Sequence, residues 1–161
     1  MLGNGNDPLT PRFAGGDVMR VVGLAERYTE ETLADIPAQW SRFSERLAEI
    51  GQRLGPATFG LFYPAKGSAA FDYVTGVMVS DAVPVPDGLV ERRIPARTDA
   101  IFTHRGHVSG LRPLTHRIFH EWLPRSGRRA AGHPLFAEVY GDDFDPAAAA
   151  GVVEVWVPLT D

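Results

Sequence analysis

Two short alternating segments near the C-terminus, Glu138-Val139-Tyr140 and Val153-Glu154-Val155-Trp156-Val157, constrain this chain more than any other feature. Successive side chains of a strand point to opposite faces, so strict alternation marks a half-buried strand. The residues between them include Gly141-Asp142-Asp143-Phe144-Asp145-Pro146, which is rich in turn formers. In the second segment Val153, Val155 and Val157 share one face, and Glu154 and Trp156 share the other. In the first, Glu138 and Tyr140 share a face. The expectation is a sheet that covers a core with its valine face and shows carboxylates and aromatic rings on the opposite one. Aromatic walls around a few acids suit flat or cationic organic molecules. The plainer reading is a sheet edge whose Glu, Tyr and Trp meet only water.

The chain has 161 residues, enough for one domain with a real core. Sixteen Lys and Arg against twenty Asp and Glu leave a net charge of −4, which argues against a generally nucleic-acid-binding surface. There is no cysteine, which excludes disulfides, thiolate catalysis and cysteine-ligated zinc. No apolar run approaches the roughly 20 residues of a membrane span. The start, Met1-Leu2-Gly3-Asn4-Gly5-Asn6-Asp7-Pro8, lacks the basic and apolar parts of a signal peptide. A cytoplasmic protein is the default expectation.

Residues 1–17 carry Gly, Asn and Pro without periodicity and read as a flexible leader or peripheral arm. Residues 18–161 are expected to form one domain. Arg20 to Tyr28 reads as a strand. Ile36, Trp40, Phe43, Leu47, Ile50 and Leu54 are spaced 4, 3, 4, 3, 4 and predict a helix that Gly55-Pro56 ends. Phe59–Tyr63 and Phe71–Val79 read as a hairpin turning at Pro64-Ala65-Lys66-Gly67-Ser68. Beyond the link Pro84-Val85-Pro86-Asp87-Gly88, Leu89–Ile94 and Asp99–His104 read as strands. A second helix is expected from Ser109, a plausible N-cap, to Leu123 before Pro124, with the stripe Leu111, Leu114, Ile118 and Trp122. The architecture repeats without a sequence repeat. It suggests an α+β fold with both helices on one sheet face.

His116 and His120 are spaced to bind zinc, but Ile118 carries the apolar stripe between them and both point to solvent. No metal site is expected, and no cofactor. His104-Arg105-Gly106-His107 reads as a turn and Gly127-Arg128-Arg129 as a helix end. No phosphate loop, nucleophile elbow or dinucleotide fingerprint is present. Trp40 and Trp122 belong to core stripes, though a ring that large can lend an edge to a neighbouring cavity. Glu138 is the sharper case. It sits amid Leu135, Phe136, Val139 and Tyr140, where a carboxylate must be paired or protonated.

In order along the chain, Ile36-Pro37-Ala38-Gln39-Trp40-Ser41-Arg42-Phe43, Phe59-Gly60-Leu61-Phe62, Phe71-Asp72-Tyr73-Val74-Thr75-Gly76-Val77 and Ile94-Pro95-Ala96 resemble the GyrI-like family. So do Phe102-Thr103-His104-Arg105-Gly106, Glu121-Trp122-Leu123-Pro124-Arg125-Ser126-Gly127, Glu138-Val139-Tyr140 and Glu154-Val155-Trp156-Val157-Pro158. This family is the effector-binding domain of AraC-type and MerR-type regulators, within the SOUL/GyrI-like superfamily. The likeness covers about residues 18–159. It implies a duplicated strand-helix-strand-strand unit with pseudo-twofold symmetry, two long helices on one face of an antiparallel sheet and a ligand cleft on the other.

The resemblance also implies a bulky aromatic or cationic ligand met by a buried glutamate. It points to Glu138, Tyr140 and Trp156 as ligand-binding residues, and Tyr73 and Trp40 complete the expected set. Two departures stand out. The family's Tyr-Gly-x-Tyr reads Phe59-Gly60-Leu61-Phe62, which removes two hydroxyls and makes that wall greasier. Its Phe-Glu-x-Tyr reads Phe136-Ala137-Glu138-Val139-Tyr140, with one extra residue before the acid. No DNA-binding segment lies within the sequence, so the expectation is a stand-alone module that senses or sequesters amphipathic aromatic or cationic compounds. Nucleic acid and membrane are not expected partners, and a homodimer is left open. Two alternatives come with the family: a cofactor-free hydrolase of cyclopropane-type toxins with Glu138 as general base, and a protein inhibitor of a topoisomerase.

Overall fold

The structure, a computed structural model, describes residues 7–65, 67 and 69–160. Residues 1–6 of the expected arm, Lys66 and Ser68 of the expected turn, and Asp161 lie outside the described residues. The strands are β1 (Arg12–Gly16), β2 (Met19–Tyr28), β3 (Arg53–Pro64), β4 (Phe71–Val79), β5 (Val90–Ile94), β6 (Arg97–His107), β7 (Arg129–Ala130), β8 (Phe136–Asp145) and β9 (Ala150–Thr160). They form one curled sheet in the order β1-β6-β9-β8-β3-β4-β2-β5, with β7 paired to β9. Every pairing is antiparallel.

The strand order is symmetrical about the β3–β8 pair. Outward from it run β4, β2 and β5 on one side, and β9, β6 and β1 on the other. The registers repeat as well. Gly16 pairs with Arg97 across β1 and β6, and Ile94 pairs with Met19 across β5 and β2. Each half therefore gives its first strand to the edge of the other half. Residues 12–16 of the expected arm are the counterpart of residues 90–94 and not an appendage.

Helix α1 (Ile36–Arg46) follows a 3-10 segment, Glu30–Asp35, and carries Pro37 in its first turn, where a missing N–H costs nothing. The helix stops eight residues short of Leu54. Ile50 is already extended (φ −83°, ψ 134°) after the 3-10 turn Leu47–Glu49, and Leu54 lies exposed on β3. Gly55, at φ 85°, sits where the β3–β4 register shifts between Arg53 and Thr58. Gly55-Pro56 thus marks a bulge.

The second helical segment departs from expectation at both ends. His107 caps it, its ring nitrogen accepting the Ser109 N–H at 3.1 Å. Helix α2 (Leu111–Arg117) passes into a π turn, Ile118–Trp122, and then into α3 (Leu123–Ser126), which Gly127 ends in the left-handed region. Pro124 does not stop the helix because it falls in the first turn of α3, just past the π turn.

Both helical segments pack on one sheet face. Phe43 and Ile50 meet Val22, Val77 and Val79, while Leu111, Leu114 and Ile118 meet Phe102, Val153, Val155 and Val157. The far face carries its own core of Val21, Phe59, Leu61, Val74, Ile94, Ala137 and Val139. Gln39 fixes α1 to the sheet. Its fully buried side chain donates to the Leu24 and Tyr73 carbonyls and accepts from the Tyr28 hydroxyl. Among the described residues no helix is long and apolar enough to cross a membrane.

Candidate functional site

The register settles which residues share a face. Glu138 pairs with Val155 and Tyr140 with Val153. Glu138 also pairs with Gly60, which pairs with Thr75. Paired residues lie on the same face, so Glu138 and Tyr140 stand on the valine face, under the helices. Trp156 pairs with Ala137 and lies on the far face with Glu154. Two expectations change. The acid is not opposite the valines, and it does not lie on the sheet side away from the helices. Alternation fixes the faces within each strand but not the parity between strands, which the hairpin sets.

Four of the five expected site residues come together. Glu138 is buried, with 8% of its surface exposed. Its Oε1 accepts the Tyr140 hydroxyl at 2.7 Å and the Tyr73 hydroxyl at 3.5 Å. The Tyr73 oxygen in turn accepts the Trp40 Nε1–H at 3.0 Å. The Trp40 ring meets Tyr140 edge-on at 5.3 Å and Tyr73 at 6.3 Å. Trp156 is the exception. It packs on Phe59 at 6.0 Å and donates Nε1–H to Glu154.

Gly60 makes this arrangement possible. A Cβ there would lie 2.8 Å from Tyr73 Cζ and collide with its hydroxyl. Only glycine lets the Tyr73 ring cross β3 to reach Glu138. Duplication explains why this place is unusual. Glu138 stands 78 residues after Gly60, as Arg97 does after Met19 and Tyr140 after Phe62, and these are matched positions in the two halves. The acid-bearing cluster has no copy in the first half.

Further rings, not singled out from the sequence as site residues, extend the wall. Phe62 stacks on Phe136 at 4.1 Å and approaches Tyr73 at 4.7 Å. Phe119, on the π turn, meets Phe136 at 5.8 Å, and Phe144 meets Tyr140 at 4.9 Å. Phe62, Phe119, Tyr140 and Phe144 are only half-buried. The extra residue before the acid puts Phe136 two positions from Glu138, hence on the same face. Phe59 and Phe62, three apart, fall on opposite faces, so only Phe62 joins this wall.

Burial raises the Glu138 carboxyl from 4.5 to about 7, against the two hydroxyl donors, which favour its charge. Burial and the neighbouring carboxylate push the Tyr73 and Tyr140 hydroxyls well up, so both stay protonated and donate. The geometry can therefore hold a carboxyl group close to half-ionised at neutral pH, framed by aromatic rings. His116 and His120 lie elsewhere. They are exposed on the second helical segment with rings stacked at 4.1 Å. A hollow of about 740 Å³ lined by Ser44, Leu47, Ile50 and Arg53 sits at the end of α1 and does not include the Glu138 cluster.

Comparison with known proteins fits this architecture. The transcriptional regulator BrlR of Pseudomonas aeruginosa is 28% identical over 121 residues, which are 74% of this chain and 44% of that protein. The chain thus spans under half the length of this curated relative. The structure of SAV2435 bound to tetraphenylphosphonium superposes with a TM-score of 0.73 at 17% identity, covering 93% of each chain. A structure described as a hydrolase from Listeria innocua superposes with a TM-score of 0.56 at 12% identity, covering 94% of this chain and 92% of that one. Residues 17–160 match the GyrI-like small molecule binding domain, and the chain belongs to that family.

Proposed function

We propose that the protein binds amphipathic aromatic cations between its two helical segments, with Glu138 as the charge partner. One observation carries this reading: a carboxyl group buried among aromatic rings with no arginine, lysine or histidine paired to it among the described residues. A buried carboxylate of this kind is costly unless protonated or met by a cation. Ring faces add roughly 0.5–2 kcal/mol each to a cation placed against them. Tyr140, Tyr73, Trp40 and the half-buried Phe62 and Phe144 would form the walls. The structural relative bound to tetraphenylphosphonium supports this ligand class.

A thermal-shift screen of aromatic cations, with mass spectrometry of the recovered compounds, tests the proposal, because a bound ligand raises the melting point by linkage. Glu138→Gln should weaken a cation by roughly 2–5 kcal/mol and a neutral analogue far less. Equal losses for both would sink the assignment. A second reading rests on the same carboxyl. An acid near pH 7 beside two phenols suits general acid–base chemistry on a reactive toxin, and a structural relative is described as a hydrolase. Recovery of a chemically altered compound, lost in Glu138→Gln, would favour that reading.

A further inference from the structure

Among the described residues the Glu138 carboxyl has no charge partner of its own. On its own strand it faces the Tyr140 phenol, and from β4 it faces the Tyr73 phenol. From α1 comes Trp40, which carries no titratable group, packs on both phenol rings and donates its indole N–H to the Tyr73 oxygen. The flanking positions on β3 and β9 are Gly60 and Val155. The second helical segment sends Phe119 toward Phe136. Thus, among the described residues, no element packed here brings a cation to the acid. Both hydroxyls bond Oε1, and neither bonds Oε2.

Among the described residues a charge in such a place is stabilised by two hydroxyl dipoles, one of them at 3.5 Å. The acid must therefore hold its own proton or be met by an outside cation. We infer that a cationic ligand and a proton compete for Glu138, so that binding of the cation releases the proton to solvent and acidification expels the ligand. This inference rests on the proposed binding site and adds its regulation. The exchange balances: the carboxyl O–H bond breaks, the proton passes to water or buffer, and the ligand's fixed positive charge replaces it. The position of the Glu138 carboxyl near pH 7 places the switch in the neutral range. The phenols cannot substitute as the switch, because burial keeps both protonated well above that range.

The test uses tetraphenylphosphonium, whose charge does not change with pH, and neutral 4-tritylphenol as its control. Calorimetric titration of the full chain in several buffers of different ionisation enthalpy counts the protons released. The expectation is about 0.9 proton per phosphonium at pH 6 and under about 0.1 at pH 8.5, with affinity about tenfold weaker at pH 6 than at pH 8. The neutral control should bind without proton release. Glu138→Gln should bind the phosphonium weakly, with no release and no pH slope. Its folded state can be verified independently by circular dichroism. Tyr140→Phe, which removes one donor to the carboxylate, should move the slope to higher pH. Phosphonium preferred over the neutral control, yet bound without proton release at pH 6, would overturn the exchange and leave the binding site standing. Equal affinity for both compounds, or no phosphonium binding at pH 8.5, would overturn the exchange and the site together.

Discussion

Gly60→Ala is the most demanding perturbation of the site, because it adds a single carbon. That carbon would collide with the Tyr73 hydroxyl and lie 2.8 Å from Cζ and 2.9 Å from Cε1. Contact this close must be relieved by motion. The Tyr73 ring cannot retreat easily, since Phe62 stands at 4.7 Å and Trp40 at 6.3 Å, and the residue is 1% exposed. Overpacking in a filled core costs roughly 1–3 kcal/mol. Moving the hydroxyl also breaks its bonds to Trp40 and Glu138, at about 1 kcal/mol each. Removing glycine from a strand returns at most about 1 kcal/mol. The expected net loss is about 2–4 kcal/mol, read by urea unfolding followed through tryptophan fluorescence. A double-mutant cycle with Tyr73→Phe isolates the cause. In that background the hydroxyl bonds are already gone and the worst collision is relieved, so Gly60→Ala should cost about 1–2 kcal/mol less. If the two substitutions add within about 0.5 kcal/mol, they do not meet, and the role given to Gly60 is wrong.

The folded-state pKa of Glu138 is raised, so its contribution to stability is fully present below about pH 4.5 and is lost as pH rises through about 7, by an amount on the order of 3 kcal/mol. Glu138→Gln should remove this fall and exceed the parent in stability at pH 8; parallel urea midpoints across pH 4.5–7.5 would refute the burial argument. Arg97 and Asp99 form a pair at 2.9 Å with side chains 6% and 4% exposed, and Arg97→Ala should cost roughly 3–5 kcal/mol because the acid is left buried and alone. Trp156→Ala should lower the melting temperature yet leave phosphonium affinity unchanged, whereas Trp40→Ala should lower both, as thermal unfolding with and without ligand will show.

The sequence carried much of this. The strand Phe71–Val79 was legible to the residue, because its β-branched and aromatic run is bounded by turn formers on both sides. Glu138 stood out because an acid amid Leu135, Phe136 and Val139 has few explanations. What failed was information that no single segment contains. The apolar spacing through Ile50 and Leu54 keeps a helical rhythm by coincidence while the backbone has already turned. Trp156, placed at the ligand by the resemblance, falls on the other face from Glu138, because alternation in two strands does not say which faces coincide. Phe119 escaped because the π turn adds a residue to the helical period and swings its ring toward Phe136. Gly60 was visible as a residue but not as the counterpart of Glu138, since that relation lies in the register.

The exchange of leading strands has a consequence for how anything reaches Glu138. A binding cleft between two lobes commonly opens by a hinge, each lobe moving as a unit. Here β1 comes from the first half and is bonded into the second, while β5 comes from the second and is bonded into the first. Spreading the halves would unpair both edges and split the continuous β3–β8 ladder at the centre. Such an opening approaches unfolding. For the proposed binding, admission would instead be local, at the Tyr140 and Trp40 rings and the helical segments, over a sheet that stays whole. The sheet is one continuous run of pairings from β1 to β5, so the selectivity of the proposed binding would fall to the rings above it.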